Sequence, residues 1–218
     1  MITKSLTLHV SAEKGNVSAE YILPGNCICM MTLAHGAGAD MNHSFMVSLA
    51  NALAEKDIGT FRFNFPFMEK KKGPADKPAV AHQTIAVAIA KAQELFSSLP
   101  LFVSGKSFGG RMSSQYLSEN NNPAVKGIIF YGFPLHPAGK PSIDRAEHLQ
   151  HVKQPMLFLQ GTKDELAQWN LIETVCKSLK KATLIKIEGA DHSFKAGKKD
   201  VMSILVNETT NWIKHKLK

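Results

Sequence analysis

The sequence predicts an α/β architecture: a mostly parallel central sheet with an antiparallel start and helices on both faces, as one domain over residues 1–218. Three observations predict it. Two alternating apolar stretches open the chain. Six short runs that are almost wholly apolar or β-branched come after them. Helical apolar spacings separate those runs.

The opening stretches read as a hairpin at a sheet edge. Leu6, Leu8 and Val10 share one face. Val17, Ala19, Tyr21 and Leu23 share another, with Lys14, Gly15 and Asn16 near the turn. The first apolar run, 28–34, is the longest, yet far below the ~20 residues that a membrane span needs. Phe45, Leu49, Ala52 and Leu53 then repeat at helical spacing, with Asn42 as the expected N-cap. A second run covers 59–63. Pro78 opens a helix carrying Ile85, Ile89, Ala92 and Phe96. The third run, 101–104, leads into a helix over 107–117. Runs over 127–131, 156–160 and 183–187 complete the set, with a short helical stretch over 145–149. Met202, Leu205, Thr209, Trp212 and Ile213 mark a final helix. Continuous apolar runs suit strands covered on both faces, so all six are expected to be buried.

Composition excludes several classes. Of the 218 residues, 44% are hydrophobic, within the globular range. The net charge is +8, but it is spread over short lysine clusters with no aromatic stripe, so no nucleic acid partner is expected. No secretory pattern opens the chain. Cys27, Cys29 and Cys176 are an odd count without metal-ligand spacing, which suits reduced thiols in a cytoplasm. Neither a metal nor an organic cofactor is expected.

The chemistry gathers at strand ends. Gly105-Lys-Ser107-Phe-Gly109 is a G-x-S-x-G pattern between a buried strand and a helix. A serine on so sharp a turn takes a strained backbone, and glycine two residues to either side removes collisions. The helix N-terminus beside Ser107 aims backbone N–H groups at a developing oxyanion. A phosphate-loop reading of Gly105-Lys-Ser107 fails, because Pro100 stands where that loop needs a glycine.

A serine hydroxyl is a poor nucleophile until a base takes its proton. Of nine histidines, only His192 follows the last strand and precedes the final helix, so it is the candidate base. Asp164 stands in the exit loop of the preceding strand as the orienting acid, with Asp191 and Glu165 as its rivals. Both exits lie at strand C-terminal ends, where parallel sheets place chemistry. The loop from Leu33 to Asp40 follows the most apolar strand. There Ala37 is the expected oxyanion donor alongside Phe108.

The H-G-A-G loop (His35 to Gly38), the G-K-S-F-G-G elbow, the G-T-K-D turn and the D-H-S-F ending resemble the α/β-hydrolase superfamily over nearly the whole chain. Within it they are similar to small KANSL-type and testis-expressed-like hydrolases and to the dienelactone-hydrolase branch. Arg62-Phe-Asn-Phe-Pro-Phe67 also resembles that group. The resemblance implies Ser107, Asp164 and His192 as a triad. His35, Gly36, Gly38, Arg62 and Phe67 are the candidates for substrate contact. Dienelactone hydrolases carry a cysteine at the elbow, so Ser107 points away from dienelactone chemistry.

The expected activity is therefore hydrolysis of an ester or thioester of a small acyl substrate. A silent binding protein and a small amidase are the alternatives. Segment 132–150 holds Pro134, Pro137 and Pro141 and leaves no room for a large lid domain. Lys70, Lys71 and Lys72 fall at the same sheet face and could attract an anionic acid moiety, although a solvated loop is the simpler reading.

Overall fold

The computed structural model describes residues 1–69 and 74–218. The lysine cluster at Lys70, Lys71 and Lys72 lies outside them. Strands β1 (Ile2–Ser11) and β2 (Gly15–Leu23) form the opening hairpin. They are joined by β3 (Cys29–Ala34), β4 (Ile58–Phe63), β5 (Leu101–Lys106), β6 (Val125–Tyr131), β7 (Met156–Gly161) and β8 (Ala182–Ile187) in one eight-stranded sheet. The order is β1-β2-β4-β3-β5-β6-β7-β8. Only the β1–β2 and β2–β4 pairings are antiparallel.

Helices cover both faces. On one side α1 (Ser44–Ala54) and α6 (Val201–Lys216) pack on Met31, Leu33, Phe102 and Ile129. On the other, α3 (Pro78–Leu95), α4 (Phe108–Glu119) and α5 (Trp169–Ser178) pack on Phe61, Val103, Phe130 and Phe158. The interior of β3 through β7 is closed to solvent, as the apolar runs require. Each large side chain buried there stabilises the fold by roughly 1.5–3 kcal/mol. A four-residue helix, α2 (Pro66–Glu69), and a 3₁₀ helix (Asp144–His151) complete the set. The latter is all the secondary structure between β6 and β7, and it buries Ala146 and Leu149 beside α4.

Three expectations are corrected. Strand β8 is only half-buried along most of its length, because it is the far edge of the sheet and has a neighbour on one side only. The N-cap of α1 is His43, not Asn42: its Nδ1 accepts the Phe45 N–H. The buried stripe of α1 runs through Met46, Leu49, Ala50 and Leu53, leaving Phe45 half-exposed at the helix entrance.

The register brings the candidate loops together. Ala34 pairs with Gly105, so the loop after β3 starts beside the turn after β5. Gly161 pairs with Ile187, so the exits of β7 and β8 start side by side. The order reverses around β3, which is where open α/β sheets form a crevice.

Candidate active site

Ser107 joins β5 to α4 with φ 50° and ψ −115°. A non-glycine residue held there costs on the order of 1–3 kcal/mol, so the surroundings must over-determine it. They do. Ser107 N donates to Tyr131 O (3.2 Å), and Arg111 N donates to Ser107 O (3.0 Å). A methyl group on Gly105 would stand 2.4 Å from Gly110 N, and one on Gly109 would stand 2.5 Å from Ala34 O. No side chain fits at either position. The second contact also explains how closely the β3 exit loop can approach the turn.

Ser107 Oγ lies 2.8 Å from His192 Nε2, and His192 Nδ1 lies 2.7 Å from Asp164 Oδ2. With an ionised Asp164 accepting, Nδ1 carries the imidazole proton and Nε2 accepts from the serine hydroxyl. Asp164 is 4% exposed, so its charge must be met by hydrogen bonds. Leu166 N donates to Oδ1 (2.8 Å) and Gln160 Nε2 donates to Oδ2 (2.6 Å). The Gln160 amide is itself oriented by Phe133 N, which donates to its Oε1 at 2.9 Å. Asp191, the rival acid, instead accepts from Ser193 N (2.8 Å) and Lys195 N (2.9 Å) and so closes the His192 loop on itself. Glu165 is exposed.

The β3 exit loop is tied down from behind. His35 is fully buried. Its Nδ1 donates to Gly36 O (2.8 Å), and its Nε2 accepts from Phe65 N (3.0 Å). Burial pushes its pKa down to about 4, so the ring is neutral. Arg62 is buried too, donating from Nη1 to Met41 O (2.8 Å) and pairing with Glu20. Phe67 packs its ring on His35, Phe65 and Phe108. These placements correct the expectation of substrate contact for His35, Arg62 and Phe67, none of which lines the cleft over Ser107. They are packing and bracing residues behind the loop, because an aromatic cluster fills that space. Asn64 joins them, accepting Met41 N through Oδ1 (2.9 Å).

The cleft itself has a volume of about 360 Å³. Gly36, Ala37 and Gly38 line it, together with Phe45, Met46 and Leu166. Gly36 sits directly over the nucleophile turn: a methyl group there would be 3.7 Å from Ser107 Cβ. Phe108 N–H is the first amide of α4 and has no intrahelical acceptor, which leaves it free for an anion.

The sequence reading did not single out three further groups. Gln160 orients Asp164. Lys106 Nζ donates to His192 O at 2.6 Å. Gly132, with φ 72°, leaves open the space between them. A polar Gln160 ending an otherwise apolar strand was the available signal for the first. Among the described residues, no group of three or more His, Cys, Asp or Glu side chains is placed to hold a metal ion, and no helix is long and apolar enough to cross a membrane.

A family model described as an alpha/beta hydrolase domain matches residues 28–213. Solved structures give the same fold. An alpha-beta serine hydrolase homologue from Coxiella burnetii is 19% identical at a TM-score of 0.75, covering 100% of this chain and 99% of its own. Dienelactone hydrolase from Anabaena variabilis is 16% identical at 0.76, with 98% of each chain covered. The esterase domain of a Rhodothermus marinus protein is 15% identical at 0.75, with 99% of each covered.

Proposed function

The chain belongs to the alpha/beta hydrolase domain family, and from that premise we propose that it is a serine hydrolase cleaving an ester or thioester of a small acyl group. One observation carries the proposal: the continuous chain from Ser107 Oγ through His192 to a buried Asp164. In this reading His192 Nε2 takes the hydroxyl proton as Ser107 Oγ attacks the acyl carbonyl. Asp164 fixes the tautomer and stabilises the imidazolium that forms. The N–H groups of Ala37 and Phe108 hold the oxyanion, each contributing on the order of 10²–10³ in rate. His192 then hands the proton to the leaving group, and water, deprotonated by the same imidazole, releases the acid.

The apolar lining from Phe45, Met46 and Leu166 favours a short uncharged acyl chain. The esterase and dienelactone hydrolase among the similar structures support ester chemistry. Unpaired Cys27, Cys29 and Cys176 fit a reducing compartment, so we place the protein in the cytoplasm. The test is a panel of p-nitrophenyl esters and acyl thioesters of increasing chain length. Turnover of the short members, declining with length, is the expected result. No turnover across the panel would instead indicate a protein that keeps the fold without catalysis.

A further inference from the structure

We propose that Lys106 is a positioning residue for this reaction: its ammonium ties the loop that carries His192 to the turn that carries Ser107, and it keeps a positive charge beside the imidazole. The inference rests on the Ser107–His192–Asp164 reading. Lys106 is the last residue of β5 and the immediate neighbour of Ser107. Its Nζ reaches back to the main chain of His192 itself, donating to the carbonyl at 2.6 Å. Ser107 bonds the His192 ring, and Lys106 adds the bond from the turn to the main chain of that loop.

The same Nζ sits 5.2 Å from the ring centroid of Phe194, two residues beyond His192. Phe194 has φ 62°, a left-handed conformation rare for a bulky residue. Its ring also stacks on Phe45 at 5.8 Å. A strained loop of this kind needs external fastening, and Lys106 supplies a hydrogen bond and a cation–π contact at once. Gly132 completes the arrangement. The point where its side chain would stand is ringed by Lys106 Nζ (3.2 Å), Asp164 Oδ2 (3.6 Å) and His192 Cε1 (3.6 Å). The cation and the His–Asp pair therefore share one small volume beside a backbone whose φ of 72° favours glycine.

Burial lowers the Lys106 pKa to about 8, while Asp164 and Asp191 oppose that shift, so the ammonium form persists at neutral pH. The titratable groups around it are Asp164 from the β7 exit, Asp191 and His192 from the β8 exit, and His43 at the entrance to α1 across the same cleft. A cation here disfavours the imidazolium. Removing that charge moves the acid limb of kcat/KM to higher pH.

The experiment compares wild type with K106M, which loses bond and charge, and K106Q, which loses the charge and keeps an N–H donor. Each is assayed for kcat/KM on p-nitrophenyl acetate against pH, for the rate of fluorophosphonate labelling, and for its thermal midpoint. K106M is expected to lose about 10–100-fold in kcat at neutral pH with little change in KM. Its acid limb should move to higher pH. K106Q should show the same upward move with a smaller rate loss. Should one variant fail to fold, the limb of the other decides. A limb at its wild-type position in every folded variant overturns the role of Lys106. Absence of labelling at Ser107 in the wild type would instead overturn the hydrolase reading on which it rests.

Discussion

Substituting Gly161 by alanine tests whether the His192 and Asp164 loops are held in register by backbone contact. Gly161 ends β7, three residues before Asp164 and across from the strand that leads to His192. An alanine Cβ would stand 2.3 Å from Ala190 O, 2.8 Å from Ala190 C and 3.0 Å from Asp191 O. The obstacle is main chain, so no side-chain rotation relieves it. Ala190 O also accepts the Lys163 N–H at 2.9 Å. Restoring an ordinary carbon–oxygen contact moves the β8 exit by about 1 Å relative to the β7 exit, and a 1 Å misplacement costs on the order of 10² in rate. Overpacking at such a site costs roughly 1–3 kcal/mol of stability. The assay is kcat and KM on a short p-nitrophenyl ester alongside urea unfolding. Gly25→Ala is the control, because nothing lies within 4 Å of a methyl group there. G161A is expected to lose kcat with KM nearly kept and to unfold at lower urea. Wild-type turnover and an unshifted midpoint in G161A would refute the reasoning.

Two other perturbations probe the supporting structure. The folded pKa of His35, about 4, lies below its ordinary 6.5, so between those values the unfolded chain binds more protons than the folded one. The stability involved is complete above pH 6.5 and lost as pH falls toward 4, about 2 kcal/mol of it between pH 7 and pH 5. Urea titrations at those two pH values should show that loss in wild type and a smaller one in H35Q; equal losses would contradict the account. Gln160→Leu strips Asp164 of one donor and Phe133 N–H of its acceptor, both in buried positions. It should destabilise by roughly 1–3 kcal/mol and also lower kcat, and a Q160L enzyme with full kcat would show that Asp164 needs no such support.

Much of this arrangement was legible in the sequence, for identifiable reasons. The apolar runs that became β3 to β7 are covered on both faces, so their composition had no freedom. The punctuation at their ends had to place glycine at 105, 109, 110 and 161 because the backbones touch there. Ser107, Asp164 and His192 were read off strand exits from such local signals, and the fold sets their side chains within hydrogen-bond distance of one another. Contacts made across the sheet carried no such signal. His35, Arg62 and Phe67 belong to a motif beside the cleft, yet whether a side chain turns toward ligand or core depends on the aromatic cluster behind it. Lys106 reads as an ordinary charged residue until the chain folds 86 residues back onto it. Helix α5 went unread although Ile172, Val175 and Cys176 form its buried stripe beside a half-buried Trp169. Strand β8 was read as buried because composition does not record which strand is last.

The most direct test of Ser107 as the acylated nucleophile is intact-protein mass spectrometry after brief reaction with a fluorophosphonate, followed by peptide mapping. The account predicts one adduct, on Ser107, formed quickly in wild type and not at all in S107A of unchanged thermal midpoint. An adduct retained in S107A, or a folded wild type that takes none, would contradict it.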